Sequence, residues 1–137
     1  FDPIHSGHTA YLQSASLLGN YLVVGLNSDA WLKRKKGRAF MPWNERLCVV
    51  NNLAMVDEVY TFDDTDGSAK HFIQQVRAHY PDDHIIFANG GDRTAKNIPE
   101  IEIKDVIFIF GVGGDKKNSS SDILRNWNGL PDGSSRI

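Results

Sequence analysis

The chain has 137 residues and a single cysteine, Cys48, so no disulfide can form within it. Disulfide-scaffold logic is excluded, and a reducing, cytoplasmic setting is the expectation. Long apolar runs are also missing. None approaches the roughly 18–20 residues that a membrane-spanning helix needs. A strong charge of one sign is absent too: 15 Lys+Arg stand against 17 Asp+Glu, for a net charge of −2. Such a balance does not suit a protein built as a whole to hold nucleic acid. No repeat, low-complexity tract or linker divides the chain, and its length fits one compact domain over residues 1–137. The first residue is Phe1, not Met. The expectation is that the natural start lies upstream.

What charge there is clusters. Lys33, Arg34, Lys35, Lys36 and Arg38 place five of the fifteen basic residues in one short stretch of an otherwise acidic chain. A basic spot on an acidic body suits a compact anion such as phosphate. It equally suits a solvated loop or a short nucleic-acid patch.

Apolar runs alternate with helix-like segments. Tyr21–Gly25, Glu58–Phe62, His84–Ala88 and Val106–Phe110 are short and rich in β-branched or aromatic residues, and they read as strands. Continuous apolar runs suit strands covered on both faces, as in a parallel sheet. Residues 8–18 read as a helix stopped by Gly19. Pro42 can open another helix through Leu47, Val50, Leu53 and Ala54. Residues 68–79 read as a third, ending before Pro81. Ser119 and Asp122 form a capping-box pattern for a last one through Ile123, Leu124 and Trp127. The order predicts an open α/β sheet with right-handed crossovers, with a first strand ahead of Phe1. Ligands of such sheets sit at the carboxyl ends of the strands.

His5-Ser6-Gly7-His8 lies at a helix start. Two imidazoles three apart can share one side of a turn. Gly7 allows close backbone approach, and a helix N-terminus favours an anion. Two imidazole N–H donors aimed at one phosphoryl group would stabilise the charge built up in its transition state. The same pair also reads as surface histidines or a fortuitous metal site. No activated serine or cysteine is evident. Cys48, among apolar neighbours, reads as a core residue.

The segment from Phe1 through Leu12 resembles the opening signature of the cytidylyltransferase-like nucleotidyltransferases. Val24–Asp29 is similar to that family's second strand and its exit, and Lys33–Arg38 to its basic loop. Asn44-Glu45-Arg46, Val56–Val59, Gly90-Gly91-Asp92 and Lys117–Ile123 resemble further family motifs, in the family's order. The subgroups most resembled are glycerol-3-phosphate cytidylyltransferase and the adenylyltransferase domain of the heptose-phosphate bifunctional enzymes.

The resemblance implies a Rossmann-like open parallel sheet of about five strands with helices on both faces. It implies transfer of a nucleotidyl group from CTP or ATP to a phosphorylated sugar or polyol, with pyrophosphate released. The acceptor phosphate would attack the α-phosphorus directly. Mg²⁺ would come mainly on the nucleotide, so few protein ligands are needed. His5 and His8 would contact the nucleotide phosphates, with Asp2 beside them. Lys33 and Lys36 would grip the acceptor phosphate or pyrophosphate as mobile charges.

Arg46 would fork onto the triphosphate. Its alternative is an ion pair with an acidic neighbour. Gly90, Gly91 and Asp92 would approach base and ribose, or simply make a tight turn. Ser119, Ser120 and Ser121 would meet the β/γ-phosphates, or Ser119 would simply cap a helix. Arg93 stands where heptose-type relatives often carry an aromatic residue. The expected partners are thus an NTP and a small phosphorylated acceptor, without nucleic acid or membrane, and with a homodimer as a candidate assembly. The rival readings are a coenzyme-precursor adenylyltransferase of the same superfamily and a non-catalytic nucleotide-binding module.

Overall fold

The computed structural model describes residues 1–90, 93–114 and 123–126. Helix α1 spans Ser6–Ser16, β1 Val23–Leu26, α2 Asp29–Lys36 and α3 Trp43–Asn51. Strand β2 follows at Glu58–Thr61, then α4 at Lys70–His79 and β3 at Ile85–Gly90. A 3₁₀ turn at Pro99–Glu102 leads to β4, Val106–Val112. Residues 123–126 are helical; the expected opening at Ser119 lies outside the described residues.

The strands pair in parallel, as their apolar runs predict. In the first pair, Val23 lies opposite Glu58 and Leu26 opposite Thr61. In the second, Ile85 lies opposite Val106; the register slips after Ala88, leaving Gly90 opposite Val112. Parallel neighbours need long crossovers, and α2 with α3 supplies the one from β1 to β2.

The parallel α/β architecture expected of the chain is present in the described residues. They give four strands in two separate pairs, β1–β2 and β3–β4. Strands β1 and β3 do not bond each other. Both instead line one open cavity of about 1420 Å³.

The core gathers on the β1 side. Leu12, Val24, Leu26 and Val50 form its centre, with Phe1, Ile4 and Leu47 packed against them. Leu26 and Val50 are fully buried. Burying such a side chain contributes about 1.5–3 kcal/mol. The alternation in β1 puts Val24 and Leu26 on the core face.

Two expectations are corrected. The basic stretch is a helix over most of its length, not a loop. Ser28 caps α2 by accepting from the Trp31 N–H, Asp29 sits in the first turn, and the cations fill the last turn. That charge order complements the helix dipole. Gly37 ends the helix at φ 90°, a left-handed conformation that favours glycine. Cys48 is exposed rather than in the core. It precedes Val50 by two positions on α3, and that offset turns it away from the face that Val50 buries.

Candidate active site

The two histidines cap the helix they begin. His5 is the N-cap of α1, and its Nδ1 accepts from the Gly7 N–H at 3.0 Å. His8 reaches back, and its Nδ1 accepts from the His5 N–H at 3.3 Å. The rings stack at 3.9 Å between centroids, 23° from parallel. A neutral imidazole whose Nδ1 accepts carries its proton on Nε2. Each Nδ1 is thus turned to backbone, and each Nε2–H is the donor left to other partners. Burial, then the positive charge of the amino group at Phe1, with His5 and Lys36 after it, pushes the His8 pKa down to about 3. At neutral pH His8 is an uncharged donor. The Gly7 N–H is taken up by His5, so Gly7 supports the cap.

Asp2 organises the segment after α2. It is 1% exposed. Its carboxylate accepts from the Phe40 N–H at 2.7 Å and the Met41 N–H at 2.6 Å, and its carbonyl accepts from Lys36 Nζ at 2.8 Å. Lys36 is thereby held beside the histidines, and its partial burial lowers its pKa. Helix periodicity sorts the other cations. Leu32 is buried, and Lys35 and Lys36, three and four positions on, join it along the cavity wall. Lys35 lies 4.7 Å over the Trp31 ring. Lys33 is exposed and is not brought to the cavity, because it is rotated about 100° from Leu32.

Arg46 reaches the cavity wall but is 2% exposed. It donates from Nε to the Met41 carbonyl at 3.0 Å and from Nη1 to the Asn27 carbonyl at 2.7 Å. Its Nη2 pairs with Asp29. The guanidinium therefore braces the β1–α2 turn against α3. This is the ion-pair reading of Arg46, with a buried guanidinium on a half-exposed Asp29 carboxylate.

The opposite wall follows β3 and β4. Tyr11, on α1, donates its hydroxyl to the Ala88 carbonyl, and burial pushes its pKa up to about 12. A Cβ on Gly90 would come within 2.8 Å of the Tyr11 ring, and one on Gly113 within 2.9 Å of Tyr11 Cα. The absence of side chains at these glycines lets α1 lie against the second strand pair. Arg93 is exposed on the same cavity. Gly91, Asp92, Ser119, Ser120 and Ser121 lie outside the described residues.

Sequence reading missed Asp64 and Tyr11. Asp64 is 3% exposed and binds the α2 cap, Ser28, by its main-chain N–H at 2.7 Å and its hydroxyl at 2.8 Å. No local pattern marks a partner 36 positions away. Tyr11 carried a signal: an aromatic residue in the middle of α1, with glycines at or just past the ends of two strands, can form such a contact.

The chain matches known proteins along most of its length. The Cytidylyltransferase-like family model matches residues 1–125. The bifunctional protein HldE of Campylobacter curvus is 37% identical over 129 residues, which are 91% of this chain and 25% of that protein. The bifunctional protein HldE of Helicobacter pylori strain G27 is 39% identical over 117 residues, 82% of this chain and 24% of that protein. The chain thus spans about a quarter of the length of these curated relatives. Among solved structures, the lipopolysaccharide core biosynthesis protein of Thermoplasma volcanium matches with a TM-score of 0.57 and 23% identity. That match covers 80% of this chain and 88% of the other.

Proposed function

The chain belongs to the cytidylyltransferase-like family of nucleotidyltransferases, and from that premise we propose that it moves a nucleotidyl group from CTP or ATP to a phosphorylated sugar or polyol. The observation that carries the reading is the reciprocal cap of His5 and His8, which turns both Nδ1 atoms to backbone and stacks the two rings at a helix N-terminus. An acceptor phosphate oxygen forms a bond to the α-phosphorus. The bond from that phosphorus to the bridging oxygen breaks, and its electron pair leaves on pyrophosphate. No protein nucleophile takes part, so the protein contributes positioning and charge neutralisation.

His5 and His8 donate to the phosphoryl oxygens whose charge grows. His8, as a neutral donor, stays in one protonation state through the cycle. Lys36 supplies the fixed positive charge beside them, with Lys35 along the same wall. Asp2 and Arg46 act one step back, holding the Lys36 segment and the β1–α2 turn. Gly91, Asp92 and Ser119–Ser121 would complete the nucleotide side.

The donor set here suits an anion rather than a bare cation. Both Asp2 carboxylate oxygens accept backbone N–H bonds, and the groups around them are imidazoles and lysines. Among the described residues no group of three or more His, Cys, Asp or Glu could hold a metal ion. The residues fit a Mg²⁺ that arrives on the triphosphate, where it would neutralise phosphate charge.

Residues 1–137 would act as one domain, in the cytoplasm. The reading includes the expected sheet of about five strands, of which the described residues hold four, in two pairs.

The experiment is pyrophosphate release by the full chain with each NTP, Mg²⁺, and a panel of sugar- and polyol-phosphates. Turnover with CTP or ATP and one acceptor class is expected. Turnover only with a coenzyme precursor such as phosphopantetheine or nicotinamide mononucleotide would move the acceptor assignment. Nucleotide binding without turnover on any pair would favour a non-catalytic module.

A further inference from the structure

We infer that Asp64 is a positioning residue for anion binding: it sets where the cationic helix α2 stands against the phosphate site. The inference rests on the proposed reading of the α2 cations as the grip on pyrophosphate.

Asp64 lies in the turn after β2 and does not line the cavity. It acts through another element. Its Oδ2 accepts from the Ser28 N–H at 2.7 Å and from Asn27 Nδ2 at 3.3 Å, and its Oδ1 accepts from Ser28 Oγ at 2.8 Å. Ser28 Oγ in turn accepts from the Trp31 N–H at 3.1 Å, which starts the helix. The Asp64 carbonyl accepts from Arg34 Nη2 at 3.1 Å, so the same residue also touches the middle of α2. From the other side Arg46 holds the Asn27 carbonyl and Asp29. The three residues that turn β1 into α2 are therefore clamped between a buried carboxylate and a buried guanidinium. Lys36 stands at the far end of α2, about 12 Å along a helix of eight residues. A small rotation at Ser28 moves Lys36 by much more.

Position and charge make opposite predictions here. Asp64 is negative, and charge alone says that its removal tightens anion binding. If Asp64 positions α2, its removal weakens binding, although it never touches the anion. Asparagine separates the two effects. Its oxygen can still accept from the Ser28 N–H, and its amide can donate to Ser28 Oγ, so the geometry survives the loss of charge.

The test is titration calorimetry of pyrophosphate with Mg²⁺ into the full chain, run well below each variant's melting temperature. The variants are Asp64→Ala, Asp64→Asn, Ser28→Ala and Lys36→Ala. Lys36→Ala and Asp64→Ala are each expected to weaken binding about tenfold, as misplacement or loss of a phosphate contact does. Asp64→Asn stays within about twofold of the parent, and Ser28→Ala falls between. Weak binding in Lys36→Ala with parental or tighter binding in Asp64→Ala overturns the role of Asp64 alone. Equal weakening in Asp64→Asn and Asp64→Ala does the same. If Asp64→Ala does not fold, parental binding in Ser28→Ala overturns it instead. Parental binding in Lys36→Ala, or no binding by the parent, overturns the reading of the site itself and this inference with it.

Discussion

His5 and His8 hold each other in place: each ring nitrogen Nδ1 accepts a backbone N–H from the turn that carries the other, and the rings stack at 3.9 Å. Helix N-caps are ordinarily Ser, Thr, Asp or Asn. Here imidazoles do that work and keep a second nitrogen each. One motif thus starts α1 and arms it with two oriented donors.

The tautomer is the first testable consequence. Both rings should carry their proton on Nε2 at pH 7.5. Nitrogen-15 shifts of labelled histidine should report Nδ1 as the unprotonated atom in both. A proton on Nδ1 of either ring would break the reciprocal cap.

The depressed pKa of His8 gives a pH dependence with a definite sign. The folded value is about 3, against about 6.5 unfolded. Between those values the unfolded chain binds the extra proton, so stability falls as pH falls. The contribution of His8 is intact above about pH 6.5, and its loss is complete near pH 3. Melting-temperature profiles of the parent and of His8→Asn should therefore differ in slope below pH 6.5, with the parent dropping more steeply. Parallel profiles would contradict the buried, neutral state of His8.

The strands and three of the helices were legible in the sequence, because apolar runs and caps are local signals. The α2 segment was not. Its cations drew attention as a loop, although Ser28, Asp29 and Gly37 carry the start and stop marks of a helix. The histidine motif was legible as a helix start, but its mutual capping was not. Nor was the use of Arg46, whose partners Asn27 and Asp29 are 19 and 17 positions away. Those contacts exist only once β1, α2 and α3 have packed.

Arg46 offers a stability test. Its guanidinium is buried and bound to Met41, Asn27 and Asp29. Arg46→Ala removes one partner from a buried network and should cost about 3–5 kcal/mol in denaturant unfolding. Arg46→Lys should recover only part of this, because an ammonium cannot reproduce the fork. A variant at parental stability would return Arg46 to the ligand side of the site.

Gly90 and Gly113 test the seat of α1. A methyl group on Gly90 would press on the Tyr11 ring, and one on Gly113 on the Tyr11 backbone. Gly113 also sits at φ 90°, so alanine there is strained as well. Each alanine should destabilise by about 1–3 kcal/mol. Gly113→Ala should be the worse, since backbone cannot yield as a ring can. Tyr11→Phe should cost about 1 kcal/mol through the lost bond to the Ala88 carbonyl. Combined with Gly90→Ala it should be non-additive, because the two changes share one contact.

The central claim is that His8 stabilises charge on a phosphoryl group during transfer from the NTP. It is tested most directly by the turnover number for pyrophosphate release in His8→Ala, at saturating NTP, Mg²⁺ and acceptor, for a variant shown to be folded. The account predicts a fall of at least about a hundredfold, the loss that follows removal of a transition-state hydrogen-bond donor. Turnover equal to that of the parent would contradict it.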